Sequence, residues 1–398
     1  MVKFSFVLLC YNNWNITKQA VTTLLKSIDP IHQSQGLELI IVDNGSTDET
    51  PMGIKQIKEE YDNDFIQIKN LRLDPNMGYT PGINAGLSKC KGKIISILNN
   101  DLAFPPNWFN GLVEVLENDK EIGLVAPYLS MSSGVQNVNK QFSSLDEMNA
   151  FAADFMVKNE KTLILTHRVI GACMVFKEEV IKLTGGNDIW FGLGQFDDDD
   201  WCLRSIAAGY KIAVVGKSFV HHICSATYNQ QSELLTATYL TNENKMQRKW
   251  DNKEIYEILA TIRYSKERHF FPTKKDDFIQ SPSVACNKGK DSRKLLLVAD
   301  WTHPFSKWKE KLKAALENCG ENDEIYLWIP KQYYILSVIL GELTIEFGPS
   351  AIKSLNILYN TVSPSEYLLF LSFFDAIYTV NDDFVNRYMV SLAEIPSI

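Results

Sequence analysis

The fold of this chain is decided around Leu98-Asn99-Asn100-Asp101, which follows the apolar run at 94–98 (Ile-Ile-Ser-Ile-Leu). A short, continuous apolar run of this kind is typical of a strand buried on both faces of a parallel sheet. The strand ends in a carboxylate and two amides, whose oxygens suit a divalent metal held together with a phosphate. Just before it, residues 76–87 (Asn-Met-Gly-Tyr-Thr-Pro-Gly-Ile-Asn-Ala-Gly-Leu) form a Gly- and Asn-rich turn that opens a helix. The backbone of such a turn can approach a nucleotide closely.

The same alternation of strand and helix continues on both sides of this strand. Predicted strands lie at 4–10, 37–42, 65–71, 94–98, 122–128, 169–177 and 210–215. Predicted helices lie at 16–28 (with Asn15 as its cap), from the 43–48 turn to about residue 61, and at about 80–89, 178–183, 198–209 and 255–264. Residues 130–159 show no clear period and are predicted to carry loops. This order predicts an α/β fold with a mostly parallel sheet and helices on both faces. Ligands bind such sheets at the carboxyl ends of the strands, where Asp43 and Asp101 are expected.

The pattern breaks at residues 265–293, where Lys, Asp, Pro, Ser and Gly dominate. This composition predicts a linker. Beyond it, the alternation resumes and predicts a smaller Rossmann-like α/β domain. The predicted organisation is therefore a first domain at 1–265, a linker at 266–293 and a small α/β domain at 294–398. The role of the last domain is left open between acceptor binding, an oligomerisation surface and a fragment of a second transferase.

Four motifs, in this order, resemble the inverting family 2 glycosyltransferases, which have a GT-A fold. They are the turn at 43–48 (Asp-Asn-Gly-Ser-Thr-Asp), the N-x-G-[FY]-x-x-x-x-N turn at 76–84, the strand end at 99–101 and the acidic segment at 197–204 (Asp-Asp-Asp-Asp-Trp-Cys-Leu-Arg). The resemblance extends from about residue 4 to residue 228. It implies a GT-A fold for the first domain and a nucleotide-diphosphate sugar as the donor substrate.

The resemblance also implies a site for the donor. The residues expected to bind the nucleotide sugar are Tyr11, Asp43, Asn76, Gly78, Asn84, Asn99 and Asn100. A divalent metal, Mn²⁺ or Mg²⁺, is expected at Asp101 and His222, since some GT-A enzymes place a metal-binding histidine at this distance from the base; the adjacent His221 is the weaker candidate. Asn99 stands where the strict D-x-D motif has an aspartate. Because an amide adds no charge, this departure should weaken the affinity for metal.

The acidic segment is expected to supply the general base. By the match to the family, Asp198 takes the proton from the acceptor, with Asp197 as its neighbour or an alternative base. Adjacent carboxylates raise one another's pKa, which suits a proton acceptor near neutral pH. Asp200 and Arg204 are expected to hold the helix in place. Trp190, Phe191 and Trp201 flank the segment and are equally compatible with sugar stacking or with the core.

The composition of the chain indicates which classes of partner and which cellular compartment are favoured. The net charge of −8 and the isoelectric point near 5.4 argue against a nucleic-acid-binding protein. The seven cysteines are odd in number and show no C-x-x-C spacing, which favours a reduced, cytoplasmic compartment. The apolar runs at 4–10 and 334–340 are far shorter than the roughly 20 residues that a membrane span needs. A peripheral contact at the inner face of a membrane is left open, as is oligomerisation through the last domain.

The predicted function is that of an inverting, metal-dependent glycosyltransferase. It would move a sugar from a nucleotide-diphosphate sugar to an acceptor hydroxyl on a glycan, a lipid-linked molecule or a protein. The alternative is a binding or assembly protein that keeps the GT-A fold but catalyses weakly, which Asn99 keeps open. A pyrophosphate-forming nucleotidyltransferase is disfavoured, because residues 11–15 (Tyr-Asn-Asn-Trp-Asn) carry neither glycine nor a basic side chain.

Overall fold

The computed structural model of the chain describes residues 2–223, 232–250, 293–301, 307–320, 322–378, 388–389 and 392. Nine strands form the larger sheet: β1 (Phe4–Cys10), β2 (Leu37–Asp43), β3 (Ile66–Arg72), β4 (Ile94–Asn99), β5 (Leu102–Ala103), β6 (Ile122–Leu129), β7 (Leu163–Thr166), β8 (Cys173–Lys177) and β9 (Lys211–His222). The helices of this part are α1 (Trp14–Ser27), α2 (Pro30–Gln33), α3 (Thr50–Tyr61), α4 (Tyr79–Leu87), α5 (Asn110–Asn118), α6 (Leu145–Lys158), α7 (Glu178–Thr184), α8 (Asp197–Ala207) and α9 (Ser232–Lys249).

The strand order is β3-β2-β1-β4-β8-β6-β9-β5, with β7 also paired to β9. The first four strands are mutually parallel, and β8 joins the sheet antiparallel between β4 and β6. All seven residues of β1 are buried, and they alternate between two cores. Phe6 and Leu8 face one core, and Val7 and Leu9 face the other. The sheet is therefore covered on both faces, as the uninterrupted apolar run predicts.

A second, fully parallel sheet follows in the C-terminal part, with the order β12-β11-β10-β13. Its elements are β10 (Arg293–Val298), α10 (Trp308–Asn318), β11 (Asp323–Pro330), α11 (Leu336–Lys353), β12 (Leu355–Asn360), α12 (Tyr367–Leu371) and β13 (Ala376–Tyr378). The predicted α/β class, with a larger sheet and a smaller Rossmann-like one, is confirmed. The helix predicted at 255–264 and the linker at 266–293 lie outside the described residues.

A short segment of the larger part contributes to the core of the C-terminal sheet. Ile189 and Trp190 form part of a 3-10 turn at Ile189–Phe191, yet both belong to the core of the C-terminal sheet. The Trp190 ring lies 5.5 Å from that of Trp328 and 5.6 Å from that of Tyr333, between ring centroids. Trp190 is thus a core residue. Phe191 and Trp201 are also 1% exposed, so the option of sugar stacking at these three aromatic residues is wrong.

Several predicted boundaries are wrong for identifiable reasons. Helix α6 occupies most of the stretch predicted as loops; Ser144 caps it by accepting a hydrogen bond from the Glu147 amide, a spacing that the sequence does show. Strand β9 continues to His222 beyond an irregularity, since Val215 and Phe219 pair with successive residues of β6. Helix α1 begins at Trp14, so Asn15 does not cap it.

Helix α11 was not anticipated from the sequence. Among the described residues, no helix is both long and apolar enough to cross a membrane.

Candidate active site

Asp101 and His222 lie side by side at the carboxyl edge of the larger sheet. The two-residue strand β5 pairs with the end of β9 and sets Leu102 opposite His222. The backbone amide of Ile223 also donates to the carbonyl of Asp101, at 2.9 Å. As a result, the Nε2 atom of His222 lies 3.4 Å from the Oδ2 atom of Asp101. The structure thus brings together two residues that are far apart in the chain and that the sequence predicts as metal ligands.

The contacts of these two side chains fit a cation. The Nδ1 atom of His222 lies 3.0 Å from the carbonyl oxygen of Met131 and donates to it, which leaves the lone pair of Nε2 directed at Asp101. The Oδ1 atom of Asp101 is buried without a hydrogen-bond donor among the described residues. A buried carboxylate oxygen without a donor suggests that a ligand completes the site.

Among the described residues, Asp101 and His222 are the two candidate ligands at this place. Nowhere in the described part of the chain do three or more His, Cys, Asp or Glu side chains form a metal-binding group. The neighbouring His221 is turned elsewhere: its Nδ1 atom lies 2.6 Å from Ser130 Oγ and its ring packs edge-on against Phe142. A cation held by Asp101 and His222 would have room in its coordination shell for oxygen ligands beyond these two residues.

The four aspartates at the start of α8 divide into two pairs. Asp199 and Asp200 are buried in ion pairs, the first with Arg168 and the second with Arg204 and Lys249. Arg204 Nε lies 2.8 Å from Asp200, so these two residues hold the helix in place as expected. These two carboxylates serve the structure of the helix start.

Asp197 and Asp198 lie towards the site. The Oδ2 atom of Asp198 accepts the backbone amide of Gly171 at 2.9 Å, and its Oδ1 atom accepts the amide of Asp199 at 3.0 Å. Asp197 is 5% exposed, and no cation forms an ion pair with it among the described residues. Burial, followed by the charge of Asp198, raises the pKa of Asp197 well above its ordinary value. Asp197 and Asp198 thus differ in their surroundings from the other two carboxylates, and their role as proton acceptors stays a prediction.

Tyr79 connects the acidic helix to the metal-site strand. Its hydroxyl donates to the Oδ1 atom of Asn99 at 3.0 Å and lies 3.4 Å from the carbonyl of Gly171. Burial raises the pKa of this phenol well above its ordinary value, and the charges of Asp197, Asp198 and Asp101 raise it further. The three carboxylates are therefore near enough to this phenol for their charges to act on it.

The turn after β2 is built around a buried ion pair. Asp43 is fully buried; its Oδ1 atom accepts the amide of Ser46 at 2.9 Å, and its Oδ2 atom is paired with Arg72. The guanidinium of Arg72 also donates to the carbonyl of Ser46, at 2.9 Å, and the Arg72 side chain as a whole is 41% exposed. Tyr11, at the end of β1, is 46% exposed. The side chains of Tyr11 and Arg72 are thus partly accessible to solvent at the carboxyl edge of the sheet.

Three of the predicted nucleotide ligands have other partners. Asn84 bonds in both directions to the backbone of Asn187, with both distances 2.8 Å, so it fixes the turn after α7. The amide nitrogen of Asn100 donates to Thr17 Oγ1 at 2.9 Å, on helix α1. Asn99 accepts from Tyr79. In the structure these side-chain groups tie the strand ends and helices together, and their role as nucleotide ligands stays a prediction.

The turn at Asn76 and Gly78 approaches the neighbouring loop as expected. Asn76 Oδ1 accepts the amide of Gly78 at 2.8 Å, and Gly78 has a φ of 90°. The side chain of Asn44 binds the same turn, accepting from the Met77 amide and donating to the Gly78 carbonyl, both at 2.9 Å. A Cβ atom on Gly45 would lie 2.8 Å from the Asn76 nitrogen, which explains the glycine there. This part of the motif sets the backbone of the turn.

The sequence reasoning missed four residues that build the site: Arg72, Asn44, Tyr79 and Gly171. Tyr79 occupies the [FY] position of the turn motif at 76–84, so the sequence could have indicated that it belongs to the site. Arg72 directly opposes Asp43 in the parallel register of β2 and β3, which the spacing of the strands alone did not fix. Gly171 donates its backbone amide to Asp198, and a contact made by the backbone cannot be predicted from the identity of a side chain.

Comparisons with known proteins relate part of this chain to glycosyltransferases. Residues 5–184 match the family model for glycosyl transferase family 2. An undecaprenyl-phosphate 4-deoxy-4-formamido-L-arabinose transferase of Pseudomonas savastanoi is 29% identical over 124 residues, which is 30% of this chain and 35% of that protein. The minor teichoic acid biosynthesis protein GgaA of Bacillus subtilis is 27% identical over 144 residues, 35% of this chain and 31% of that protein. The matches thus span about a third of the length of these relatives.

Solved structures of glycosyltransferases are also similar. The mannosyltransferase PcManGT of Pyrobaculum calidifontis, in complex with GDP-Man and Mn²⁺, matches with a TM-score of 0.48 and 18% identity, covering 65% of this chain and 69% of that one. The family match spans β1 to α7, the part of the chain that holds Asp101 and the turns at its side. The domain formed by residues 5–184 therefore belongs to glycosyl transferase family 2.

Proposed function

We propose that the chain is an inverting glycosyltransferase that moves a sugar from a nucleotide-diphosphate sugar to an acceptor hydroxyl. The observation that carries the proposal is the pair formed by Asp101 and His222, with a 3.4 Å separation and a buried carboxylate oxygen that lacks a donor. Two protein ligands suit a cation that is shared with the diphosphate of a donor. The family match and the nearby carboxylates of α8 add support.

The donor would lie along the carboxyl edge of the sheet. The exposed ring of Tyr11 is available to the base, and the exposed guanidinium of Arg72 can meet the negative charge of the nucleotide. The turn at Asn76 and Gly78 presents its backbone towards the same edge. Asp43 acts through Arg72 and Ser46, because both of its oxygens are already engaged by these residues. When bound, a divalent cation at Asp101 and His222 would supply positive charge against the diphosphate.

Transfer would then be a single displacement. The acceptor oxygen forms a bond to the anomeric carbon while the bond between that carbon and the diphosphate oxygen breaks. The leaving nucleoside diphosphate keeps the electron pair, and the acceptor proton passes to a carboxylate oxygen of Asp198. The Gly171 and Asp199 amides orient the Asp198 carboxylate for this task. Asp197 lies beside Asp198 as a contact for the acceptor or as the alternative base.

A thermal-shift panel on the full chain tests the proposal. UDP-, dTDP- and GDP-sugars are added with and without Mn²⁺, and one of them is expected to raise the melting temperature only together with the metal. Binding at 100 times Kd stabilises the folded state by about 2.7 kcal/mol. The Asp101→Asn and His222→Gln variants should lose this shift, whereas His221→Gln should keep it because His221 contacts Ser130. No metal-dependent shift with any nucleotide sugar would contradict the proposal.

A further inference from the structure

The turn that leads into the acidic helix is held in an unfavourable backbone conformation. Gln195 and Phe196 have φ values of 73° and 67°, and Gly192 and Gly194 also have positive φ, at 53° and 100°. Left-handed conformations cost a non-glycine residue free energy, and they persist only where the surroundings enforce them. The next residue along the chain is Asp197. The orientation of the start of α8 therefore depends on whatever holds this turn.

One buried side chain of α9 makes three contacts with the turn. The amide nitrogen of Asn242 donates to the carbonyls of Phe191, Gly194 and Gln195, at 2.9, 2.7 and 3.2 Å. Asn242 is 1% exposed, so water does not compete for these bonds. An amide carries two hydrogens, and three carbonyls that converge on them are fixed relative to one another.

Other contacts of α9 fix the helix in place, so that Asn242 can hold the turn. Lys245, one turn further along, donates to the carbonyl of Trp190 at 2.6 Å and pairs with Asp300 of the C-terminal part at the same distance. Lys249 pairs with both Asp188 and Asp200, at 2.5 and 2.7 Å. The helix is thus anchored at both ends of the turn, before it at Asp188 and Trp190 and after it at Asp200.

We propose that Asn242 is a positioning residue for the glycosyl transfer, acting by holding the 191–196 turn so that Asp197 and Asp198 face the site. The proposal rests on the proposed function, and it adds a residue of α9, which lies outside the family match at 5–184. The three hydrogen bonds from Asn242 to this turn all end on backbone carbonyls, so its effect reaches the substrate through the two aspartates.

The test compares Asn242→Ala and Asn242→Asp with Asn244→Ala in the full chain. Asn242→Asp keeps the size but removes both donor hydrogens, while Asn244 is exposed and donates only to Leu240 of its own helix, at 3.0 Å. The probe is the nucleotide sugar that shifts the wild-type melting temperature with Mn²⁺, and the rate is the release of nucleoside diphosphate. Both Asn242 variants should lower kcat by about 10- to 100-fold, as expected for displaced catalytic groups, with KM for the donor and the metal-dependent shift retained.

Hydrogen exchange provides a readout that needs no turnover. The amides of Gly192, Gly194 and Asp200 are bonded within the turn and the helix start, and they should exchange faster in the Asn242 variants but not in Asn244→Ala. Should Asn242→Ala fail to fold, Asn242→Ser replaces it. Unchanged exchange at these amides, or faster exchange with unchanged kcat, would overturn the proposal. If no nucleotide sugar raises the melting temperature of the wild type in a metal-dependent way, the proposed function itself is overturned. Failure of the proposed function and failure of the role of Asn242 are therefore distinguishable.

Discussion

The hydroxyl of Tyr79 donates a hydrogen bond to the side-chain oxygen of Asn99, at 3.0 Å, and so links the start of α4 to the end of β4. Burial and the charges of three aspartates hold the pKa of the phenol well above its ordinary value, so it stays a donor at neutral pH. An amide at position 99 accepts this bond without adding a further negative charge beside Asp101, Asp197 and Asp198. This accounts for an asparagine where the D-x-D motif has an aspartate.

Removing this donor should cost stability. We expect Tyr79→Phe to lower the free energy of unfolding by about 1 kcal/mol, since Asn99 then loses its hydrogen-bond partner. Tyr61→Phe, at the half-buried last residue of α3, is the control and should change the free energy of unfolding less. Urea denaturation measures both variants. Equal stability of Tyr79→Phe and the wild type would mean that water replaces the phenol at no cost.

The raised pKa of Asp197 predicts that replacing this residue stabilises the folded protein, by an amount that depends on pH. A carboxyl group whose pKa is higher in the folded state favours folding when protonated, so its contribution is lost as pH rises through the folded pKa. Asp197→Asn should therefore melt higher than the wild type at pH 7, and the difference should shrink towards pH 4, near the unfolded pKa of about 3.9. Calorimetry at several pH values measures this.

The control for Asp197 is an exposed aspartate of another helix. Asp154→Asn, which loses only a surface ion pair with Lys158, should show no such trend. A difference between Asp197→Asn and the wild type that stays constant from pH 4 to pH 7 would show that the pKa of Asp197 is unaffected by folding.

Most strands of the larger sheet were predictable because their apolar runs are continuous, whereas their order in the sheet was not predicted. Strand β1 has the bounds that its sequence predicts, and β4 extends the prediction by a single residue, Asn99. Asp101 and His222 were predicted as partners from the resemblance. Their actual contact depends on β5, a two-residue strand too short to leave a pattern.

The direction of polar side chains could not be read from the sequence. Asn84, Asn99 and Asn100 stand in motif positions, yet each bonds to the protein itself. Whether an amide faces a ligand or a neighbouring loop depends on pairings across the fold: Asn84 and Asn187 are 103 residues apart, and Asn99 and Tyr79 are 20 apart. The same holds for Asn242, whose three partners lie in a turn that precedes it by about fifty residues.

Asp200 should matter more for stability than a helix-start aspartate usually does. It is fully buried and receives Arg204, Lys249 and the indole N–H of Trp250, at 2.8, 2.7 and 3.0 Å. The helix dipole alone would predict a cost of about 1 kcal/mol for Asp200→Asn. Breaking a buried ion pair raises the expected cost to about 3–5 kcal/mol. Chemical denaturation at neutral pH measures the difference.

Asp146 provides the matched control, because it lies in the first turn of α6 but is exposed. Asp146→Asn should cost no more than about 1 kcal/mol, as a dipole and capping effect alone predicts. Comparable costs for Asp146→Asn and Asp200→Asn would show that the buried ion pairs add nothing to the helix-start effect.

The C-terminal part should remain attached after cleavage of the chain. Limited proteolysis is expected to cut first within the predicted linker at 266–293 and to leave two fragments. Because Ile189 and Trp190 belong to the C-terminal core, the fragments should co-elute in size exclusion and separate only in denaturant. Trp190→Ala should weaken this association, and Trp14→Ala, in the core of the larger sheet, is the control. Fragments that separate without denaturant would show that the shared core does not hold them together.

Replacing the carboxylate by an amide, separately at Asp198 and at Asp197, tests which of the two residues is the general base. Asp198→Asn keeps the size of the side chain and removes the proton acceptor, so kcat for transfer should fall by about 10²- to 10⁴-fold. Metal-dependent binding of the donor should persist, because it depends on Asp101 and His222. Asp197→Asn should lower kcat less, since Asp198 keeps its bonds to the amides of Gly171 and Asp199. The rates are compared at saturating donor and acceptor. If Asp197→Asn instead causes the larger loss, the buried carboxyl with the raised pKa is the base, and Asp198 serves to orient it.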